Sequence, residues 1–254
     1  MMSLAERHHY ILKQLQSEGS VNVLDLYRAL NVSSVTIRKD LKLLEEKNLL
    51  FRTHGGATLN NPYTADRPVN VKEKLQAPEK MKIGAVAAKS VEANDSIIIA
   101  SGTSVLALAK NIEPRESLTV ITSALNVALE LMKHPEVEIV QLGGVLRKSS
   151  SSVTGPYAEN ILSDFSCTKL FLGVDGIDLE FGLTTTSVNE AHLNRQMIAA
   201  AQKVIVLSDS TKFGKRGLGR ICGIESVDRI ITDEGIPKHF VTNLEGAGIE
   251  VTIV

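Results

Sequence analysis

The residues best suited to chemistry in this chain sit just after short apolar runs. Ser101-Gly102-Thr103-Ser104 follows the run 97–100 and precedes a helical pattern. Small hydroxyls and a glycine at a strand-to-helix turn offer free amides and O–H donors to a phosphate. Thr122 and Ser123 close the run 118–122. Gly143-Gly144 and then Arg147 follow 138–142, Asp175 follows 170–174, and Lys212 follows 204–207. Any α/β protein uses such turns, and taken singly Ser123 and Gly143-Gly144 read as structural. Together with Glu190 they gather hydroxyls, a mobile cation and carboxylates, a set matched to a small polyhydroxylated anion. A sugar phosphate is the simplest such ligand, with its phosphate on 101–104, Lys212 as counter-charge, and Asp175 and Glu190 accepting from sugar hydroxyls.

A second group needs a different partner. From residue 34 to about 47 the spacing predicts a helix that buries Ile37, Leu41 and Leu44. At ~100° per residue its opposite face carries Val35, Lys39 and Lys42, with Thr36 and Arg38 on the shoulders. Ser33 is placed to cap it. A solvated basic face is the ordinary reading of such a helix. The alternative is a groove of duplex DNA: Arg38 to guanine or phosphate, Lys39 to phosphate, Ser34 and Thr36 to phosphate near the helix start, Val35 against a thymine methyl.

The elements that must hold these groups follow from periodicity. Leu4, Ile11, Leu12 and Leu15 share one face of a first helix that ends at Gly19. An extended piece, 20–23, leads to a second helix with Leu26, Ala29 and Leu30, and a tight turn at 31–33 leads to the third. Two helices joined by so short a turn form a helix-turn-helix. The segments 49–52 and 57–59 flank Thr53-His54-Gly55-Gly56 as a β-hairpin wing. Residues 59–72, with Pro62 and Pro68, read as a linker, and 73–88 as a helix interrupted at Pro78. Beyond residue 95 seven runs, at 97–100, 118–122, 138–142, 170–174, 204–207, 229–232 and 249–254, alternate with helical stretches. They are apolar on consecutive residues, as strands covered on both faces are, and predict a doubly wound, mostly parallel sheet. The expected division is a winged helix-turn-helix at 1–58, a linker at 59–72 and an α/β sensing domain at 73–254.

Composition narrows the class. The chain has 254 residues, 43% apolar and 22% charged, and a net charge of −1. Residues 1–58 carry eight Lys/Arg against six Asp/Glu, hence +2, which leaves −3 for the remainder. That asymmetry permits a nucleic-acid partner for the first segment. No run of ~18 apolar residues predicts a membrane span, and the first 17 residues lack the apolar core of a signal peptide. Two cysteines, with no CxxC or HExxH, suggest a reduced, cytoplasmic, metal-free protein. No GxGxxG follows the first strand of the second domain, which argues against a dinucleotide, and no cofactor is expected.

Glu6-Arg7 with Ile11-Leu12, then Ser33-x-x-Thr36-Ile37-Arg38-Lys39-Asp40-Leu41, then Arg52-Thr53-His54-Gly55-Gly56-Ala57, resembles the DeoR-type family of bacterial transcription repressors. The resemblance extends over nearly the whole chain. It implies that the third helix enters the major groove and that Arg52, His54 and Gly55 contact DNA from the wing. It implies sugar uptake or catabolism genes as targets. The second half is similar to the pentose-phosphate isomerase and CoA-transferase superfamily, through Ser101-Gly102-Thr103-Ser104, Asp175-Gly176-Ile177-Asp178 and Glu190. Ala100 departs from the acidic residue frequent in the DeoR type, and Ser34 and Val35 from its commonest residues there.

Two functions are consistent with these residues. One is a repressor that binds operator DNA as a homo-oligomer, dimer or tetramer, and is released by a phosphorylated sugar, or, with the sign reversed, held by it. The other is an aldose–ketose isomerase, which needs a carboxylate base and an electrophile beside the carbonyl. Such isomerases carry a lysine in the segment after the aspartate pair. Residues 179–184 have none, which favours binding without turnover and no enzyme activity.

Overall fold

The computed structural model describes residues 2–47, 49–53, 55–58, 68–114 and 116–254. The chain divides into two compact units, Met1–Ala65 and Asp66–Val254.

The first unit contains α1 (Leu4–Glu18), β1 (Ser20–Asn22), α2 (Val23–Leu30), α3 (Ser34–Glu46), β2 (Phe51–Thr53) and β3 (Gly56–Thr58). Each helix begins on a side-chain cap. Ser3 and Glu6 form a reciprocal capping box on α1, Asn22 accepts from the Leu24 amide, and Ser33 from the Thr36 amide. Ile11, Leu15, Leu26, Leu30, Ile37, Leu41, Leu44 and Leu50 form the core. Leu4, which spacing puts on the buried face, is exposed, because the first turn of α1 projects past the core's end at Ile11. The extended piece after α1 becomes a third strand: the sheet order is β1-β3-β2, so the wing is anchored on both sides of β3. Gly56 is required there, since a Cβ would lie 1.9 Å from the Val21 carbonyl oxygen.

The second unit opens with α4 (Val69–Lys74) and α5 (Ala77–Ala88). It continues β4 (Ser96–Ile99), α6 (Thr103–Ala109), β5 (Leu118–Thr122), α7 (Leu125–Leu131) and β6 (Val137–Gln141). A hairpin of β7 (Val145–Arg147) and β8 (Ser152–Thr154) precedes α8 (Pro156–Leu162), β9 (Cys167–Gly173), β10 (Gly176–Asp178) and β11 (Gly182–Thr185). Then follow α9 (Val188–Ala199), β12 (Ala201–Leu207), β13 (Gly219–Cys222), β14 (Arg229–Thr232), α10 (Lys238–Gly246) and β15 (Glu250–Ile253).

Seven of these strands form one sheet, ordered β15-β14-β12-β9-β4-β5-β6, with every neighbouring pair parallel. They are the seven runs expected from the sequence. Alternate residues face opposite ways: Ile97, Ile99 and Phe171 pack with Ile83, Val105 and Val127 of α5, α6 and α7. Ile98, Leu170 and Leu172 pack with Leu162, Met197 and Leu244 of α8, α9 and α10. The sheet is doubly wound. The chain steps from β4 outward to β6, then returns to β9 beside β4 and proceeds the other way, so the order reverses between β4 and β9. In open α/β sheets the crevice at such a reversal, beyond the carboxyl ends of the strands, is where ligands bind.

Two readings change. The helical break expected at Pro78 falls instead at Leu75 and Gln76; Pro78 stands in the first turn of α5, where a missing N–H costs nothing. The stretch 59–72 lies outside the described residues up to 67, and its last four residues already belong to α4. The β7-β8 hairpin and the antiparallel sheet β10-β11-β13 were not expected, being strands of three or four residues, too short for periodicity to register. Among the described residues no helix is long and apolar enough to cross a membrane.

Candidate functional site

In the first unit α3 presents the face its spacing predicts. Ile37, Leu41 and Leu44 are buried, while Val35, Arg38, Lys39 and Lys42 are exposed and Ser34 and Thr36 half-buried. Lys42 makes a loose surface pair with Glu46 at 3.8 Å. Among the described residues Arg38 and Lys39 have no ion-pair partner, so a basic pair stands ready for phosphate or base edges. Ser33 is engaged as the cap, and its hydroxyl lies 2.9 Å from that of Thr36. In the wing, Arg52 is tied by its Nε and its amide to the Glu45 carboxylate at 2.7 and 2.8 Å. Gly55 is exposed, and its carbonyl accepts from Val23. His54 lies outside the described residues.

The sequence missed one buried residue of α3. Asp40 accepts two hydrogen bonds from the Arg7 guanidinium, at 2.7 and 3.0 Å, with the His8 Nε2 3.5 Å away. The charged face of α3 is therefore divided: Asp40 points inward to fasten α1, leaving the outward charge wholly basic near the helix start.

In the second unit five of the groups predicted to bind an anion, Ser101, Arg147, Asp175, Glu190 and Lys212, come together near the carboxyl ends of β4 and β9, the reversal of the sheet. The two strand ends touch closely: a Cβ on Gly173 would sit 3.0 Å from the Ser101 carbonyl oxygen. Ser101 donates to Glu190 Oε1 at 2.8 Å, and Arg147, reaching across from β7, pairs with Glu190 Oε2. Arg147 also donates to the Thr186 hydroxyl at 3.2 Å, and the Thr186 amide donates to Asp175 Oδ2 at 3.2 Å. Asp175 Oδ1 faces two cations, Lys72 at 2.8 Å and Lys212 at 4.0 Å. One polar network thus joins Ser101, Glu190, Arg147, Asp175 and Lys212, supplied by five separate segments.

The other predicted groups stand outside this network. Thr122 and Ser123 are fully buried; the Thr122 hydroxyl accepts from Ala124, and the carbonyls of the pair accept from Leu142 and Val153. Gly143 lies exposed ahead of the β7-β8 hairpin, and Gly102 caps α6, whose first turn holds Thr103 and Ser104. None of these makes a hydrogen bond to the network among the described residues. Of the aspartate pair, Asp178 accepts from Glu180, Phe181 and Arg216 and so fixes a turn, leaving Asp175 alone in the network.

The network is electrostatically tense. Burial pushes the Glu190 carboxyl above its usual range, and the nearby charge of Asp175 adds to the effect, against the pull of Arg147 and Ser101. Burial pushes Asp175 the same way, yet Lys72 and Lys212 outweigh it and hold that carboxyl below its usual range. Lys80, which the sequence did not single out, is buried beneath the site and donates to the carbonyls of Lys72 and Leu75 at 2.8 and 2.5 Å. Burial lowers its ammonium to about 8, with Asp209 as the main opposing charge. The cations at Asp175, Lys72 and Lys212, come from outside residues 179–184. A lysine is absent from that segment, but cations reach Asp175 by other routes. Lys72 gave no signal at all, because it stands in what reads as a linker.

The chain matches the family model described as DeoR-like helix-turn-helix domain over residues 7–63 and that of the DeoR C terminal sensor domain over 75–234. It is 34% identical to the uncharacterized HTH-type transcriptional regulator YulB of Bacillus subtilis, across 100% of this chain and 98% of that one. It is 30% identical to the glycerol-3-phosphate regulon repressor of Escherichia coli, across 99% and 100%. Among solved structures, ribose 5-phosphate isomerase A of Methanocaldococcus jannaschii superposes on 54% of this chain and 55% of its own, with 15% identity and a TM-score of 0.41.

Proposed function

The chain belongs to the DeoR family of transcription regulators, and from that premise we propose that it represses a sugar-utilisation operon and releases its operator when a phosphorylated sugar occupies the second unit. The observation that carries the reading is the polar network at the sheet reversal, where two lysines face one carboxylate. An added anion relieves the crowding of like charges there, and Glu190 and Asp175 offer acceptors for hydroxyls. Phosphate lies against Lys212 and the turn 101–104. A relative named for a glycerol-3-phosphate regulon is consistent with a phosphorylated polyol as effector.

The DNA is read by α3, with Ser33, Ser34, Val35, Thr36, Arg38 and Lys39 at the groove and Arg52, His54 and Gly55 from the wing. One winged helix covers few base pairs, so two or four copies act on paired half-sites. The protein works where the chromosome is, in the cytoplasm.

A ligand shifts DNA affinity only by binding the two states unequally. The test is a thermal-shift screen of phosphorylated sugars followed by DNA release with each hit. A ligand at ~100 Kd adds about 2.7 kcal/mol of stability, a readily seen shift. Lys212→Ala is expected to keep DNA binding and lose release. Release that survives this substitution removes Lys212 from the site, and turnover of ribose 5-phosphate by the purified chain overturns the reading in favour of an isomerase.

A further inference from the structure

Lys72 stands between the two stretches that the family models match, after residue 63 and before residue 75, yet its ammonium lies 2.8 Å from Asp175 at the centre of the network. We propose that Lys72 is an effector-binding residue supplied by the segment that joins the two units, and that the ligand it helps to hold fixes α4 in place.

The way α4 is attached supports this. None of its residues is buried: Val69 is half-buried, Val71 is 46% exposed, and neither packs against the core of the second unit. What holds it among the described residues is polar. The Val69 amide donates to Ser149 at 2.6 Å, Lys72 pairs with Asp175, Lys80 grips the carbonyls of Lys72 and Leu75, and Glu73 makes an exposed pair with Lys110 at 2.7 Å. Apolar burial is the usual anchor of a short helix, since isolated helices of this length do not persist in water. Without it, the docking of α4 depends on the charge balance at Asp175.

Among the described residues, cations crowd Asp175. Lys72, Lys80, Lys212 and Arg147 gather around Asp175, Asp209 and Glu190, and Lys72 and Lys212 share a single carboxylate oxygen. A phosphate carried between Lys72 and Lys212 gives each ammonium its own partner and adds a charge-assisted bond to α4. The occupied site therefore pins the helix that directly follows the linker from the DNA-binding unit, and without ligand that helix is held by two ion pairs, one of them exposed, and a few bonds to backbone carbonyls. Occupancy of the site is thus conveyed to the linker through Lys72 itself.

The inference rests on the phosphosugar reading above, and its test separates the two. Amide hydrogen exchange across 69–75 is followed in the wild-type protein with ribose 5-phosphate, glucose 6-phosphate, fructose 6-phosphate and inorganic phosphate. Binding of the same probes is measured calorimetrically for wild type and Lys72→Gln. Exchange across α4 is expected to slow with each probe that binds. Lys72→Gln is expected to bind roughly tenfold more weakly, as befits one lost charge-assisted contact, and to show no slowing. Binding to wild type without any change across 69–75 overturns the inference and spares the reading, as does a variant that binds and slows like wild type. If no probe binds the wild-type protein, the reading itself fails and the inference with it. The exchange measurement needs no variant, so the outcome does not depend on how Lys72→Gln folds.

Discussion

Arg7 on the first helix and Asp40 on the third are joined by two hydrogen bonds of 2.7 and 3.0 Å, with side chains only 12% and 3% exposed. Asp40 is buried while Arg38 and Lys39, just before it in α3, are exposed, so the pair lies behind the face proposed to read DNA. The bidentate grip sets the roll of α3 about its own axis.

Removing one partner of such a pair leaves a buried charge uncompensated. Arg7→Ala is therefore expected to destabilise the first unit by about 3 kcal/mol. Arg7→Lys is expected to recover little, because an ammonium cannot make the fork. With no tryptophan in the chain, denaturant unfolding followed by far-UV circular dichroism is a suitable measurement. A midpoint unchanged by Arg7→Ala contradicts the structural role.

The exposed basic residues of α3 predict different signatures. Arg38→Ala should weaken operator binding by roughly 1–3 kcal/mol and relax specificity if the guanidinium reads a base. Lys39→Ala should weaken all sequences alike and lower the salt slope of binding by about 1. Equal salt slopes for wild type and Lys39→Ala would remove that lysine from the phosphate contacts.

Gly56 offers a local test of the wing. A methyl group there overlaps the Val21 backbone at 1.9 Å, which side-chain motion cannot relieve. Gly56→Ala is expected to separate β1 from β3 at a cost of about 1–3 kcal/mol or more, and to abolish DNA binding. Effector binding by the second unit should persist, and its loss would show that the damage is not confined to the wing.

Lys80 gives a pH signature. Its folded-state value of about 8 lies below the ordinary lysine value of 10.5, so the unfolded chain binds more protons between these limits. Stability then rises with pH across that window. The penalty for burying the charge is fully present below about 8 and gone above about 10.5. Its full size is on the order of 3 kcal/mol. Comparing wild type with Lys80→Met from pH 7.5 to 10.5 isolates this group from the other lysines. A constant difference between the two across the range would show that Lys80 titrates normally.

Much of this molecule is legible in one dimension. The seven strands announced themselves as consecutive apolar residues, and the structure pairs them as a single parallel sheet because both faces must be covered. The cap Ser33 and the inward face of α3 follow from local rules that act within a few residues; the caps Ser3 and Asn22 emerged only from the structure. Family membership was legible for the same reason: Ser33 to Leu41 and Arg52 to Ala57 are contiguous motifs.

What the sequence could not reveal is which distant groups share a charge. Asp40 reads as one more polar residue on a helix, and only the packing of α1 turns it inward to Arg7. Lys72 reads as part of a linker, and only the return of the chain to the β4–β9 edge sets it on Asp175. Thr122 and Ser123 have the right chemistry and position along the chain, yet the fold uses them to hold neighbouring strands. Periodicity and capping are short-range, determined by neighbours within a turn or two. An ionic network is assembled from segments a hundred residues apart, and its members become partners only when the sheet order has decided which strand ends lie side by side.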